Sequence, residues 1–228
     1  MQTDGLVIFA KAPLAGKVKT RLVPHLTPMD AAELYQAFIL DTLDRLSPLR
    51  DVKHYMACYP SSADPFFMRL GKDYKIERLD QRGSDLGERL GGVVETLMNR
   101  GLERIVLVGA DSPTLPTSYL EQAFAALKAQ PVVVGPSQDG GYYLIGLSQW
   151  TPELFDDIPW GTEKVLELTL KKIHDLGLEC EILPKWFDVD DLIGLKALIK
   201  QLAHEPGIAP HTEAFLKTHK ITQTGYSS

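Results

Sequence analysis

Four cations cluster near the start of this chain with no acid beside them. Lys11, Lys17, Lys19 and Arg21 share one loop with Gly16, and no carboxylate occurs between Asp4 and Asp30. The whole chain carries a formal charge of -6, so the loop departs from its own composition. Cations so placed can neutralise phosphate oxygens, and glycine lets backbone N–H groups come close to them. A solvated surface loop is the plainer alternative, but the lack of any counter-charge favours phosphate. The loop is not a P-loop. That motif needs Gly where Lys11 stands and Ser or Thr where Val18 stands, and no GxGxxG occurs anywhere.

Three acidic segments could complete such a site. Asp111 opens Asp111-Ser112-Pro113 and could hold Mg²⁺ or Mn²⁺ as a hard oxygen ligand, or simply make a turn. Asp139 opens Asp139-Gly140-Gly141, which reads as a hairpin turn or as a carboxylate facing a reaction centre, with glycines leaving room for substrate. Asp188 and Asp190 alternate, so an extended backbone puts them on one side, where they repel unless a cation lies between. The same stretch reads equally as the acidic start of a final helix. Trp160-Gly161-Thr162 is an acceptor-facing loop or an aromatic plug with a helix cap.

The elements that must position these residues alternate in type. Leu6 to Ala10 reads as a first strand, and Thr27-Pro28-Met29-Asp30 as a capped helix start. Further strands are expected over 52–59, 74–79, 104–110, 132–135, 142–147 and 178–183. Helices are expected over 84–100, 116–129, 162–176 and from about Asp190 to His204, with an irregular tail from Glu205. Arg104 to Ala110 is apolar without alternation, as in a central strand covered on both faces. This order predicts one α/β domain with a mainly parallel, twisted sheet flanked by helices. Ligands of such sheets gather beyond the carboxyl ends of the strands, where the cationic loop, Asp111 and Asp188–Asp190 all fall.

Composition removes several alternatives. At 228 residues, 44% hydrophobic and 24% charged, the chain can bury a real core. Its negative charge argues against general nucleic-acid binding. The two cysteines have no CxxC spacing, and the six histidines no HExxH. Without a GxSxG elbow, a hydrolase triad has no nucleophile. No apolar run approaches the ~20 residues of a membrane span, and the start shows no signal peptide, so a cytoplasmic protein is expected.

Taken together, Phe9-Ala10-Lys11-Ala12-Pro13 through Lys19-Thr20-Arg21-Leu22, Gly109 to Pro113, Gln138 to Gly146, Trp160-Gly161-Thr162 and Asp188-Val189-Asp190 resemble the bacterial DUF2064 family. Its members are assigned to glycosyltransferases of the nucleotide-diphospho-sugar transferase (GT-A) superfamily, some with arsenosugar biosynthesis. Lys19-Thr20-Arg21-Leu22-Val23-Pro24 is also similar to the loop that wraps the nucleotide in sugar nucleotidylyltransferases and phospholactate guanylyltransferases. The resemblance implies a GT-A domain in which Ala10, Lys11, Gly16, Lys17, Lys19, Arg21 and Asp111 bind the nucleotide. Asp111 with Asp190 or Asp188 would hold Mg²⁺ or Mn²⁺, the choice between the last two staying open. Asp139 would serve as general base, with Gly140, Gly141, Trp160 and Thr162 beside the acceptor. Expected activities are transfer from a nucleotide sugar to a small molecule, or nucleotidyl transfer from a nucleoside triphosphate with release of pyrophosphate. A non-catalytic nucleotide-binding protein is the third reading.

Overall fold

The computed structural model describes residues 3–221. Seven strands form one sheet: β1 (Asp4–Lys11), β2 (Lys53–Tyr59), β3 (Glu77–Asp80), β4 (Arg104–Gly109), β5 (Val132–Pro136), β6 (Tyr142–Leu147) and β7 (Cys180–Ile182). Their spatial order is β3-β2-β1-β4-β6-β5-β7. All pairings are parallel except those of β6, which runs antiparallel to both neighbours. The helices are α1 (Pro28–Leu46), α2 (Pro65–Asp73), α3 (Leu86–Asn99), α4 (Thr117–Ala126), α5 (Val165–Asp175), α6 (Leu192–His204) and α7 (Pro210–Thr218).

Strand alternation divides the core into two layers. Leu6 and Ile8 of β1 pack in one layer with Phe38 of α1, and the intervening Val7 packs in the other with Val94 and Leu97 of α3. Helices α1, α2, α4, α6 and α7 cover the first face, and α3 and α5 the second. Both layers are needed because β1 and β4 present apolar residues on both sides. Strand β1 sits between β2 and β4, pairing Lys11 with Tyr59 and Phe9 with Gly109. The loops after β1 and β4 therefore leave one edge side by side, at the reversal of strand order where ligands of such sheets bind.

Local chemistry fixes α1 where the sequence predicts it. The Thr27 hydroxyl accepts from the Asp30 N–H at 3.1 Å, and Pro28 fills the first helical position. Two elements differ from the sequence expectation. The strand expected from Tyr74 begins at Glu77, because Tyr74 closes the last turn of α2, its N–H donating to the Leu70 carbonyl at 2.9 Å. The tail expected to be irregular from Glu205 contains α7. Its start is capped from another helix: the buried Asp41 of α1 accepts from the N–H groups of His211 (2.9 Å) and Thr212 (2.8 Å) and from the Thr212 hydroxyl. A cap supplied at that sequence distance leaves no local signal. The rest of the expected tail, 222–228, lies outside the described residues. No helix among the described residues is long and apolar enough to cross a membrane.

Candidate functional site

The cationic loop begins where β1 ends. The Lys11 N–H donates to the Tyr35 hydroxyl of α1 at 3.1 Å, and the Ala12 N–H to the Tyr59 carbonyl at 2.7 Å, anchoring the exit of the strand. The loop then turns inward at Lys19, which takes a left-handed backbone conformation (φ 48°) before a short 3-10 turn at Thr20–Leu22. A left-handed lysine costs about 1–2 kcal/mol. Its side chain, only 3% exposed, lies 5.3 Å from the centre of the Tyr35 ring and 5.6 Å from that of Phe38. The ammonium donates to Asp111 and, at 2.7 Å, to Asp190. Burial alone would push this amine down, but the two carboxylates outweigh burial and hold it above the usual lysine value. Burial likewise works to raise Asp190, yet Lys19, then Arg21 and Lys11, bring it below the usual carboxylate value.

Backbone pairing brings the two acids together. The Val189 N–H donates to the Asp111 carbonyl at 2.9 Å, joining the segment before α6 to the end of β4. Asp191 then caps α6 by accepting from the Gly194 N–H at 2.9 Å. Asp188 is differently placed. It accepts from the hydroxyls of Ser112 and Ser137, the latter at 2.6 Å, tying together the ends of β4 and β5. Burial pushes its carboxyl up to about 6, against the pull of the two serines and helped by the charge of Asp111.

These groups open onto a cavity of about 420 Å³, a size suited to a small-molecule ligand. Ala10, Lys11, Lys17, Lys19, Asp111, Asp188 and Asp190 all line it. Gly16 and Arg21 do not, although the charge of Arg21 reaches Asp190. Asp139, Gly140 and Gly141 form the β5–β6 turn instead of a cavity wall, with Asp139 accepting from the Gly141 N–H at 3.0 Å. The Asp139 charge is still felt by Asp188. Gly140 has φ 89°, and a Cβ there would meet the Glu163 carbonyl at 2.2 Å, so this turn is packed against the approach to α5. Trp160 does not line the cavity but packs edge-on against the cavity-lining Tyr142 ring, centroids 6.2 Å apart. The Thr162 hydroxyl donates to the Pro159 carbonyl at 2.8 Å within its own turn.

Sequence reasoning misses several lining residues, Gln81, Arg89 and Tyr35 among them. Gln81 follows β3 and donates from Nε2 to the carbonyls of Ala10 (3.2 Å) and Ala57 (2.8 Å), leaving its Oε1 as the free acceptor. Its position at a strand's carboxyl end was the available signal. Arg89 of α3 lies over the Tyr59 ring at 4.3 Å, and Tyr35 supports Lys11 and Lys19. Both belong to amphipathic helices, where nothing in the residue pattern separates them from their neighbours.

The fold recurs in solved structures. A candidate nucleotide-diphospho-sugar transferase from Desulfovibrio desulfuricans G20 is 32% identical, with a TM-score of 0.88 and 96% of each chain covered. A cytidylyltransferase from Leptospira borgpetersenii serovar Hardjo-bovis shares the fold at 13% identity, TM-score 0.59, over 100% of both chains. A glucosyl-3-phosphoglycerate synthase from Mycobacterium tuberculosis, solved with Mn²⁺, UDP and glucosyl-3-phosphoglycerate, shares it at 14% identity and TM-score 0.52, over 89% of this chain and 79% of its own. No curated protein sequence matches the chain significantly. Residues 42–162 match the model of a family described as uncharacterized proteins conserved in bacteria, and this chain belongs to that family, DUF2064.

Proposed function

We propose that this chain is a metal-dependent glycosyltransferase that takes a nucleotide-activated sugar donor and a small-molecule acceptor. The observation that carries this reading is the convergence of Asp111 and Asp190 on one cation, the Lys19 ammonium, in the lining of a cavity that also holds Lys11 and Lys17. The residues fit Mg²⁺ or Mn²⁺: two carboxylates already share a positive charge, and such ions commonly use one or two carboxylates with substrate phosphates and water completing the shell. Asp111 and Asp190 would hold the ion, while Asp188 is committed to its two serines. Bound there, the ion would offset charge on a leaving diphosphate.

The chain's own groups supply the rest. Lys11 and Lys17 bind the diphosphate, and Lys19 is free to join them once it leaves the carboxylates. Gln81 offers a fixed acceptor to an N–H of the donor. Asp139, in the β5–β6 turn beside the cavity and not in its wall, is the acceptor-side carboxylate of this proposal: an acceptor bound at that rim would give it the proton as the acceptor oxygen bonds to the sugar's anomeric carbon and the diphosphate departs. The named neighbours support a transferase that handles nucleotides, and the M. tuberculosis enzyme, crystallised with Mn²⁺ and UDP, supports the divalent ion.

Nucleotidyl transfer is the second reading, favoured by the Lys19-Thr20-Arg21-Leu22 loop and by the end-to-end likeness to a cytidylyltransferase. Incubation with Mg²⁺ or Mn²⁺, nucleotide sugars or triphosphates, and small acceptors separates the two. Nucleoside diphosphate release supports glycosyl transfer, and pyrophosphate release the alternative. Nucleotide binding that ignores divalent ions and survives Asp111→Ala would make the chain a non-catalytic binder.

A further inference from the structure

We propose that Asp30, Glu33 and His219 form a divalent transition-metal site, separate from the cavity, that pins α7 to the start of α1. The ligand atoms of these three half-exposed to exposed residues lie within 4.8 Å of one another. Asp30 and Glu33 share one face of the first turns of α1, three residues apart. His219 closes the C-terminal end of α7.

The imidazole is set up as a ligand. Its Nδ1 lies 3.0 Å from the Phe215 carbonyl, an acceptor, so Nδ1 carries the proton. In the neutral ring Nε2 then has a lone pair, and it is Nε2 that faces the carboxylates, 3.4 Å from Asp30 Oδ1 and 3.6 Å from Glu33 Oε2. A backbone carbonyl holding the far nitrogen is the usual support of a metal-bound histidine. The ring is fixed further by stacking on Phe215, with centroids 4.1 Å apart.

Two of the three ligand separations suit a shared metal ion, and the third, between the Asp30 and Glu33 oxygens, is within 4.8 Å. A charged N–H···O⁻ bond would draw the atoms to about 2.7–2.9 Å. Metal–ligand bonds of about 2.0–2.2 Å in a tetrahedron put neighbouring ligand atoms about 3.3–3.6 Å apart. The observed 3.4 and 3.6 Å fall in that interval. One imidazole nitrogen and two carboxylate oxygens suit Zn²⁺, with water in the fourth position. The frame is stiff, because Asp41 of α1 already fastens the first turn of α7 at the other end of the helix.

The test is Zn²⁺ titration of the chelator-stripped full chain, read by calorimetry and thermal midpoint, with Co²⁺ as an absorbing substitute. One Zn²⁺ should bind per chain and raise the midpoint, both in the native sequence and in Asp111→Asn/Asp190→Asn. His219→Ala should weaken binding by at least about 100-fold, with Glu33→Gln intermediate. Co²⁺ should give a visible band that His219→Ala removes. These variants alter surface side chains, so loss of binding in a folded variant is interpretable. Zn²⁺ binding that survives His219→Ala, or no saturable binding below ~1 mM, overturns the proposal and reduces the cluster to an ion pair. Either result leaves the transferase reading untouched.

Discussion

Replacing Lys19 with methionine removes the cation that Asp111 and Asp190 share, while keeping a side chain long enough to fill the space over Tyr35 and Phe38. Each acid is within a hydrogen bond of the same nitrogen, so the two oxygens are at most about 5–6 Å apart. Two bare carboxylates at ~5 Å repel by ~3 kcal/mol at an effective dielectric of about 20, and by ~1 kcal/mol in water. Asp111 and Asp190 are 38% and 46% exposed, so water screens them and the value lies between those limits. Lys19→Met should therefore cost about 2 kcal/mol in divalent-free buffer. The same change vacates the cation position, so Mg²⁺ should return most of that loss. The native sequence without nucleotide should respond little, because its own ammonium already neutralises the pair. Urea unfolding with chelator and with Mg²⁺ reads both effects, in a His219→Ala background so that the outer cluster adds nothing. Equal stabilisation of both sequences by Mg²⁺, or of neither, would refute the idea that lysine and metal compete for one place.

Three further outcomes follow from particular groups. Asp188 keeps its proton up to about pH 6 when folded but releases it near 3.8 when unfolded, so stability falls as pH rises through that window and the full penalty persists above it. Asp188→Asn should leave stability at pH 4 nearly unchanged and raise it above pH 6 by up to ~2–3 kcal/mol, checked by urea midpoints across pH. Gly140→Ala forces a side chain onto the Glu163 carbonyl at a left-handed position and should cost at least about 2 kcal/mol, seen in the thermal midpoint. Asp139→Asn can still accept from the Gly141 N–H, so the turn should persist while turnover falls by at least ~100-fold. Unchanged turnover would leave Asp139 as a turn-former alone.

Much of the scaffold was legible because local rules and tertiary packing agree. The unalternating run of β4, the Thr27–Pro28 start of α1 and the Asp139–Gly140 turn each announce themselves in residue types. Helix α7 did not, because its cap is Asp41, a residue of α1. The gathering of Lys11, Lys17, Asp111 and Asp190 at one edge could be argued from strand order, since a parallel sheet forces its carboxyl ends together. Which lysine turns inward could not. Lys19 differs from Lys17 by its backbone, at φ 48°, and by a hole between Tyr35 and Phe38 that only the folded chain creates. The same holds for Asp188 and Asp190. Alternation puts both toward the cavity, but two serines from different strand ends occupy one and a lysine the other.

The reversed course of β6 has a consequence for how this molecule could diversify. A strand running against its neighbours puts its first residues where theirs put their last, so Tyr142 and Tyr143 stand beside the exit of β4. The hairpin that leads into them projects from the same rim as the lysine loop, yet belongs to a separate stretch of chain. Residues could be added at its exposed Gln138, on the side away from the Gly140 contact with Glu163, without shifting the pairing of β1 with β4, because that register is set two strands away. The rim beside the cleft is thus open to reshaping for new guests while the lysine-bearing side stays put.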